Sequence, residues 1–355
     1  MSVPALFRRL PPLRDRPADP GDPLNAITRD RVVEGTRAAS DVAAIDAVLV
    51  PAFVAADRQA VVAQNRWARR EVGLLVLSGL LVVASSTQAA FGPDEEWPSV
   101  LVAALGGLSS VLAGTMKSTD ARGTYLRARR EAERLRSLAW THLARHDPVD
   151  LAARTRALRR AVALIRLQTV EGSGDPAGQA AEGEADQTTP RPASASRSDA
   201  GSERLLDLYL AGRLDTQRSW YRRRQEEFDA AERQGGKVRT TLLIIATILG
   251  AVGAASFAAE YREWLGVAAT VATAMSAITT GWIRLQAFDT RARLYELTAA
   301  RLDVAEADRP PAVDPPIAAS YVGQCEDILL AEHGAWTSQT PRGVREPSPG
   351  PRTST

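Results

Sequence analysis

Four long uncharged stretches interrupt an otherwise polar chain. They are residues 72–91, 97–116, 240–259 and 264–283, and none contains Asp, Glu, Lys, Arg or His. Each is 20 residues long, about the length that crosses a bilayer core as a helix. A helix buried in a water-soluble bundle normally keeps one polar face. These stretches have none, so the pattern predicts four membrane-spanning helices. They are rich in Ala, Gly, Ser and Thr rather than saturated with Leu, a composition that suits close contact between helices.

The stretches come in pairs. Residues GPDEE separate the first two and EYRE separates the last two. Connections this short make antiparallel neighbours, hence two transmembrane hairpins. Cations cluster on the outer flanks: Arg66, Arg69 and Arg70 before the first stretch, Lys117 and Arg122 after the second, seven cations over residues 218–239 before the third, and Arg284 and Arg291 after the fourth. The short connections hold only Arg262. By the positive-inside rule both termini and the central region are expected in the cytoplasm, with the protein multi-pass in the cell (plasma or inner) membrane. Trp97, Tyr261, Trp264 and Trp282 fall near the expected interfaces.

Each half reads as a charged helix, a hairpin, then a second charged helix. After the hairpins, STDARGTYLRARREAERL in the first half parallels AFDTRARLYELTAARL in the second. Both halves point the same way, a parallel repeat rather than an inverted one. The expected organisation is an unfixed N-terminus (1–25), a first two-helix membrane domain (26–170), a disordered linker (171–203) rich in Gly, Pro, Ser and Ala, a second such domain (204–336) and a disordered tail (337–355). The fold class is all-α: two transmembrane hairpins with a cytoplasmic helical bundle.

Residues 203–234 carry a helical stripe through Leu206, Leu210, Leu214, Gln217, Tyr221, Arg224, Phe228 and Ala231. Trp220, Tyr221, Arg222, Arg223 and Arg224 are the expected cytoplasmic anchor of the second hairpin, with Glu226 and Glu227 placed to pair with the arginines. Gly235 and Gly236 are expected to interrupt this helix at the membrane, as a hinge or as a simple stop.

Within the membrane stretches, small residues recur every four positions: Gly106, Ser110 and Gly114; Gly250, Ala254 and Ala258; Ala272, Ser276 and Thr280. Such spacing lets helices approach closely. Thr273, Ser276 and Thr280 form a weakly polar stripe that either lines an aqueous path in an assembly or bonds to its own backbone.

Net charge is only +2, and just two of the 44 basic residues are lysine. The cations of residues 218–239 are interleaved with Glu226, Glu227, Asp229 and Glu232, which neutralise much of their field, so nucleic acid is not an expected partner. The lone Cys325 allows no intrachain disulfide. His142 and His146 share a helix face, but no third ligand or general base accompanies them, and His333 is remote. No catalytic constellation, metal site or cofactor site is expected, and the protein is not expected to be an enzyme. The absence of ionisable groups from the membrane stretches disfavours an ion-coupled transporter.

A cationic helix carrying Trp220–Arg224, a tight hairpin, a charged helix (287–302) and an acidic-apolar element ending at Trp336 together resemble the SLATT group, the SMODS and SLOG-associating two-TM effector domains of bacterial conflict systems. Residues 204–336 carry the closer likeness, and residues 57–168 resemble a divergent second copy. The resemblance implies a membrane effector that forms pores or disrupts the membrane, assembles with copies of itself, and answers to a separate nucleotide-sensing or nucleotide-producing protein. It transfers no catalytic residues. The alternatives are a membrane-anchored scaffold whose cytoplasmic helices bind a partner and, more weakly, a small-solute transporter.

Overall fold

The computed structural model describes residues 4–7, 21–24, 29–32, 39–91, 96–118, 120–145, 150–171, 200–255, 260–311 and 313–338. Among these the structure is helical, with no strand. In the first half, α1 (Ala39–Val48) leads into the 42-residue α2 (Val50–Phe91), followed by α3 (Glu96–Ser118), α4 (Ala121–Ala144) and α5 (Leu151–Glu171). In the second half, α6 (Ala200–Tyr209) passes through a π-helical turn (Leu210–Leu214) into the 40-residue α7 (Asp215–Ala254), followed by α8 (Arg262–Gln286), α9 (Phe288–Ala307) and α10 (Pro315–Ser338).

Each half therefore opens with one long helix whose first part is polar and whose second part is apolar. The polar part of α2 buries Phe53, Ala56, Ala60 and Ala63, a helical stripe, against α4. Facing it, α4 buries Ala128, Ala132, Leu135, Ala139 and Leu143. Small residues on both sides let the two axes lie close. Beyond these stripes the helices leave their packed core. Val76, Leu80 and Val82 of α2, and Leu243, Ile244, Ile245 and Ile248 of α7, are exposed. Large apolar side chains exposed along a whole helix are unfavourable in water and suited to lipid. Four helices are long and apolar enough to span a membrane, and they coincide with the four uncharged stretches.

The four spans form a row in the order α3, α2, α8, α7. The central pair meets at glycines. A Cβ on Gly79 would collide with the Ile278 side chain, and one on Gly281 would stand 2.5 Å from Leu75 Cδ2. The Ser86 hydroxyl donates to Thr270 Oγ1 across the same contact, 2.9 Å. On one side α3 leans on α2, where Gly73 faces Leu112. On the other, α7 packs along α8, with Gly253 facing Leu265. The extramembrane helices gather into one bundle. Its core joins residues of both halves, including Trp140, Leu135, Tyr209, Tyr221, Phe228 and Phe288.

Two sequence expectations are corrected. The helix does not stop at Gly235–Gly236: α7 runs through both. Gly235 instead admits the side chain of Ile283, whose Cδ1 would lie 2.6 Å from a Cβ there. The break in the second hairpin unit comes at Ala287, between α8 and α9, which takes φ 47° and ψ 50°, the left-handed region. Nor is the N-terminus wholly unfixed. Leu6 and Leu24 are both buried, at 1 % exposure. Residues 172–199 of the linker and residues 339–355 of the tail lie outside the described residues, whereas Ala200–Glu203 at the linker's end begin α6.

Candidate functional site

The outer helices of the row carry the small-residue faces. Gly106 and Gly114 of α3 and Gly250 of α7 have nothing within 4 Å of a Cβ position. Ser110 and Ala254 are exposed. These faces are thus unused within one chain, while the glycines of the inner helices (Gly79, Gly281) are filled by neighbours. Ala258 lies outside the described residues.

The hydroxyls of α8 divide. Thr273 donates to the Ala269 carbonyl at 2.9 Å and Thr280 to the Ser276 carbonyl at 2.9 Å, each one turn back. Ser276 is buried against α7 and donates to the Arg239 carbonyl, 3.4 Å. Within one chain, therefore, Ser276 faces a neighbouring helix while Thr273 is exposed.

Where the row meets the bundle, the N-terminal segment is tied in. The Trp282 indole donates to the Leu6 carbonyl at 2.9 Å, and the Leu6 amide donates to Gln234 Oε1 at 3.2 Å. Leu6 Cδ1 lies 3.2 Å from where a Gly235 Cβ would be. Trp282 is accordingly a buried joint residue, whereas Trp97, Tyr261 and Trp264 are more than half exposed, as rings at a membrane interface are.

The expected anchor residues are placed as follows. Tyr221 is buried at 2 % exposure and Trp220 packs edge-on to Tyr295, centroids 5.4 Å apart. Phe228 joins the same cluster against Tyr295 and Phe288. Arg224 pairs with Glu227 and lies over the Trp220 ring. Arg222 instead reaches α9, donating to both oxygens of Asp303. Arg223 is exposed. The basic cluster thus serves mainly to fasten α7 to α9.

A buried polar centre went unseen in the sequence. Arg213, in the π-helical turn, makes a two-pronged pair with Glu326 of α10, at 3.0 and 3.1 Å. Tyr209 donates to the same carboxylate at 3.1 Å. Glu133 of α4 is gripped by Arg129 and Arg136, each at 2.7 Å, and lies 3.9 Å from Arg213. Tyr221 donates to Glu332 at 3.4 Å. Burial alone would weaken the charge on Arg213, but Glu326 outweighs it and holds the guanidinium protonated. Burial raises both Tyr209 and Tyr221, so they remain donors. Burial likewise lifts the neighbouring Cys325 thiol to about 11, away from nucleophile chemistry. The π-helical turn and the residue before it bring Tyr209, Leu210, Arg213 and Leu214 all inward. Such a turn often marks a functional position.

A row of four spans, joined edge to edge and fastened to a helical bundle, defines an all-α membrane protein made of two hairpin units. Residues 209–336 match the family model described as SMODS and SLOG-associating 2TM effector domain 1. The second hairpin unit is a domain of that family. Residues 42–150 match a different model, described as a protein of unknown function (DUF4231). No curated protein and no solved structure matches the chain.

Proposed function

We propose that this chain is a membrane effector that associates edge to edge with further copies and compromises the bilayer when activated. The observation that carries this reading is the uneven use of small residues. The inner helices α2 and α8 meet at filled glycines, Gly79 and Gly281, while α3 holds Gly106 and Gly114 open and α7 holds Gly250 open at opposite ends of the row. An interface between two different edges is head-to-tail, and repetition closes it into a ring or extends it as a filament. In lipid, close packing at small residues is the main driving force for such contact. A ring would give the exposed hydroxyl of Thr273 a wet surface to line. The match to a two-TM effector domain supports the same reading.

The arginine-rich flanks favour a cytoplasmic bundle with both termini inside, where a separate nucleotide-producing or nucleotide-sensing protein would supply the signal. The chain works without catalysis on this reading, and nucleic acid is not its partner. Regulated expression in a bacterium with a membrane-potential dye tests it. Wild type depolarises the cells on activation, and Gly106→Ile/Gly114→Ile, which fills one edge, abolishes depolarisation at equal membrane abundance. Unaltered depolarisation by that variant contradicts the reading. Replacing both hairpins with unrelated ones tests the scaffold alternative, which requires activity to survive the exchange.

A further inference from the structure

The helix that closes the first half, α5, packs on α1 and α4 and buries Leu158 and Val162. Its other side carries Arg156, Arg160, Leu164, Leu167 and Val170, spaced by four, four, three and three, so they form one stripe. All five are exposed, Val170 at 71 %. Arg154 on the inner side meets Asp41 at 3.2 Å, and Arg166 on the flank lies 3.9 Å from Glu131. Arg156 and Arg160 have no ion pair among the described residues.

In the second half, a cleft of about 360 Å³ opens between α9 and α10. Ala300, Val304, Tyr321 and Ile328 give it apolar walls, and Arg301 and Asp308 border it. Leu297 extends the apolar rim by a turn, and it and Val304 are 48 % and 61 % exposed. Asp308 is exposed at the end of α9, beside the last carbonyls and the negative pole of that helix.

Stripe and cleft stand at the same height. Both α4 and α9 leave the membrane row at their first residues, Ala121 and Phe288. Along α4, α5 runs back toward the membrane: Arg154 shares Asp41 with His142, and further on Arg166 nears Glu131 and Gln168 accepts from Arg134. At 1.5 Å per residue, Leu164, Leu167 and Val170 are level with points about 10–20 Å along α4, and Leu297 and Val304 lie about 15–25 Å along α9. Arg156 and Arg160 are level with about 25–30 Å, and Asp308 lies about 30 Å out. That distance far exceeds the Debye length of about 8 Å, so anionic headgroups do not answer these arginines. Within one chain α4 and α10 stand between the stripe and the cleft. Only a second copy in the same membrane brings them together, apolar against apolar and arginine against Asp308.

We propose that the stripe of α5 docks in the α9–α10 cleft of the next copy, so that each bundle carries a plug at one end and a socket at the other. The direction of this contact, first half onto second half, rests on the head-to-tail reading of the membrane row. A small contact suffices there, because the row already holds neighbouring bundles at high effective concentration.

Cross-linking of full-length chains in native membranes tests this. One tagged chain carries Leu164→Cys and a second, differently tagged chain carries Val304→Cys, and a short bis-maleimide joins thiols that meet. The mixed product is expected to exceed either self-pair by about tenfold, because the contact joins unlike surfaces. Adding Arg156→Glu/Arg160→Glu to the first chain is expected to lower its yield about tenfold with helicity unchanged, and Asp308→Arg on the second chain to restore it. A parallel pair, Gly106→Cys with Gly250→Cys, reads the membrane edges separately. If that pair links and the α5–α9 pair does not, docking is wrong while edge-to-edge association stands. If the α5–α9 pair alone links, docking stands and the membrane edges are not the interface. Self-pairs in place of the mixed product, a link from Leu164→Cys to a different protein instead, or charge reversal without loss and rescue would each overturn the proposal.

Discussion

At Ala287 a residue with a Cβ sits at φ 47°, where a side chain crowds the following carbonyl. Its amide still closes bonds to the Ile283 and Arg284 carbonyls, so the strain purchases a turn that reverses no hydrogen bonding. Ala287→Gly is expected to stabilise the fold by about 1 kcal/mol, as judged by unfolding in detergent, and to leave the helix boundary in place. Arg213 is the opposite case. Its loss in Arg213→Met strands the Glu326 carboxylate in the core and is expected to cost about 3–5 kcal/mol. The double change Arg213→Met/Glu326→Leu is expected to recover much of that loss, because no buried charge then lacks its partner. His142 adds a pH dependence. Burial depresses its proton affinity, opposed by Asp41. The unfolded chain therefore takes up the proton first as pH falls, so this contribution is complete above the unfolded value of about 6.5 and is lost as pH drops toward the depressed folded value. Thermal unfolding of wild type is expected to weaken on acidification through that window more than that of His142→Gln, and parallel curves would refute the assignment.

Among the elements, α7 separates what composition reveals from what packing decides. Its apolar second part and its stripe through Tyr221, Phe228 and Ala231 were legible, because a 3.6-residue period needs no partner to be seen. Its continuity through Gly235–Gly236 was not. A glycine pair reads as a break when local propensity is all one has, but neighbours override propensity. Here Ile283 and Leu6 occupy the space of the missing Cβ at Gly235, while Gly236 has open space. The two positions should answer oppositely to the same change. Gly236→Ala is expected to stabilise by roughly 0.5–1 kcal/mol through helix propensity. Gly235→Ala must displace Ile283 and is expected to destabilise. Equal effects on melting temperature would mean that the close approach at Gly235 is absent. The polar centre around Arg213 was hidden for a related reason. Its acids come from α4 and α10, far away in the chain, and only tertiary pairing brings them to one place.

For the molecule as a whole, hairpin architecture, the doubled plan and the small-residue repeats could all be read from residues alone. Which of those repeats are spent inside one chain could not. That division depends on the row order α3, α2, α8, α7, which sequence spacing does not encode. It is also what the account of function rests on: an inner pair saturated at Gly79 and Gly281, and two open edges at Gly106 and Gly250. Cysteine cross-linking in native membranes examines this directly. Gly106 and Gly250 lie near the middle of their apolar stretches, at opposite ends of the row, and the buried Cys325 does not compete. Chains carrying Gly106→Cys and Gly250→Cys together are predicted to form a disulfide ladder beyond the dimer under mild oxidation, while a mixture of the two single variants stops at dimers. Failure of the double variant to cross-link between chains, or a yield of dimers only, would contradict edge-to-edge assembly.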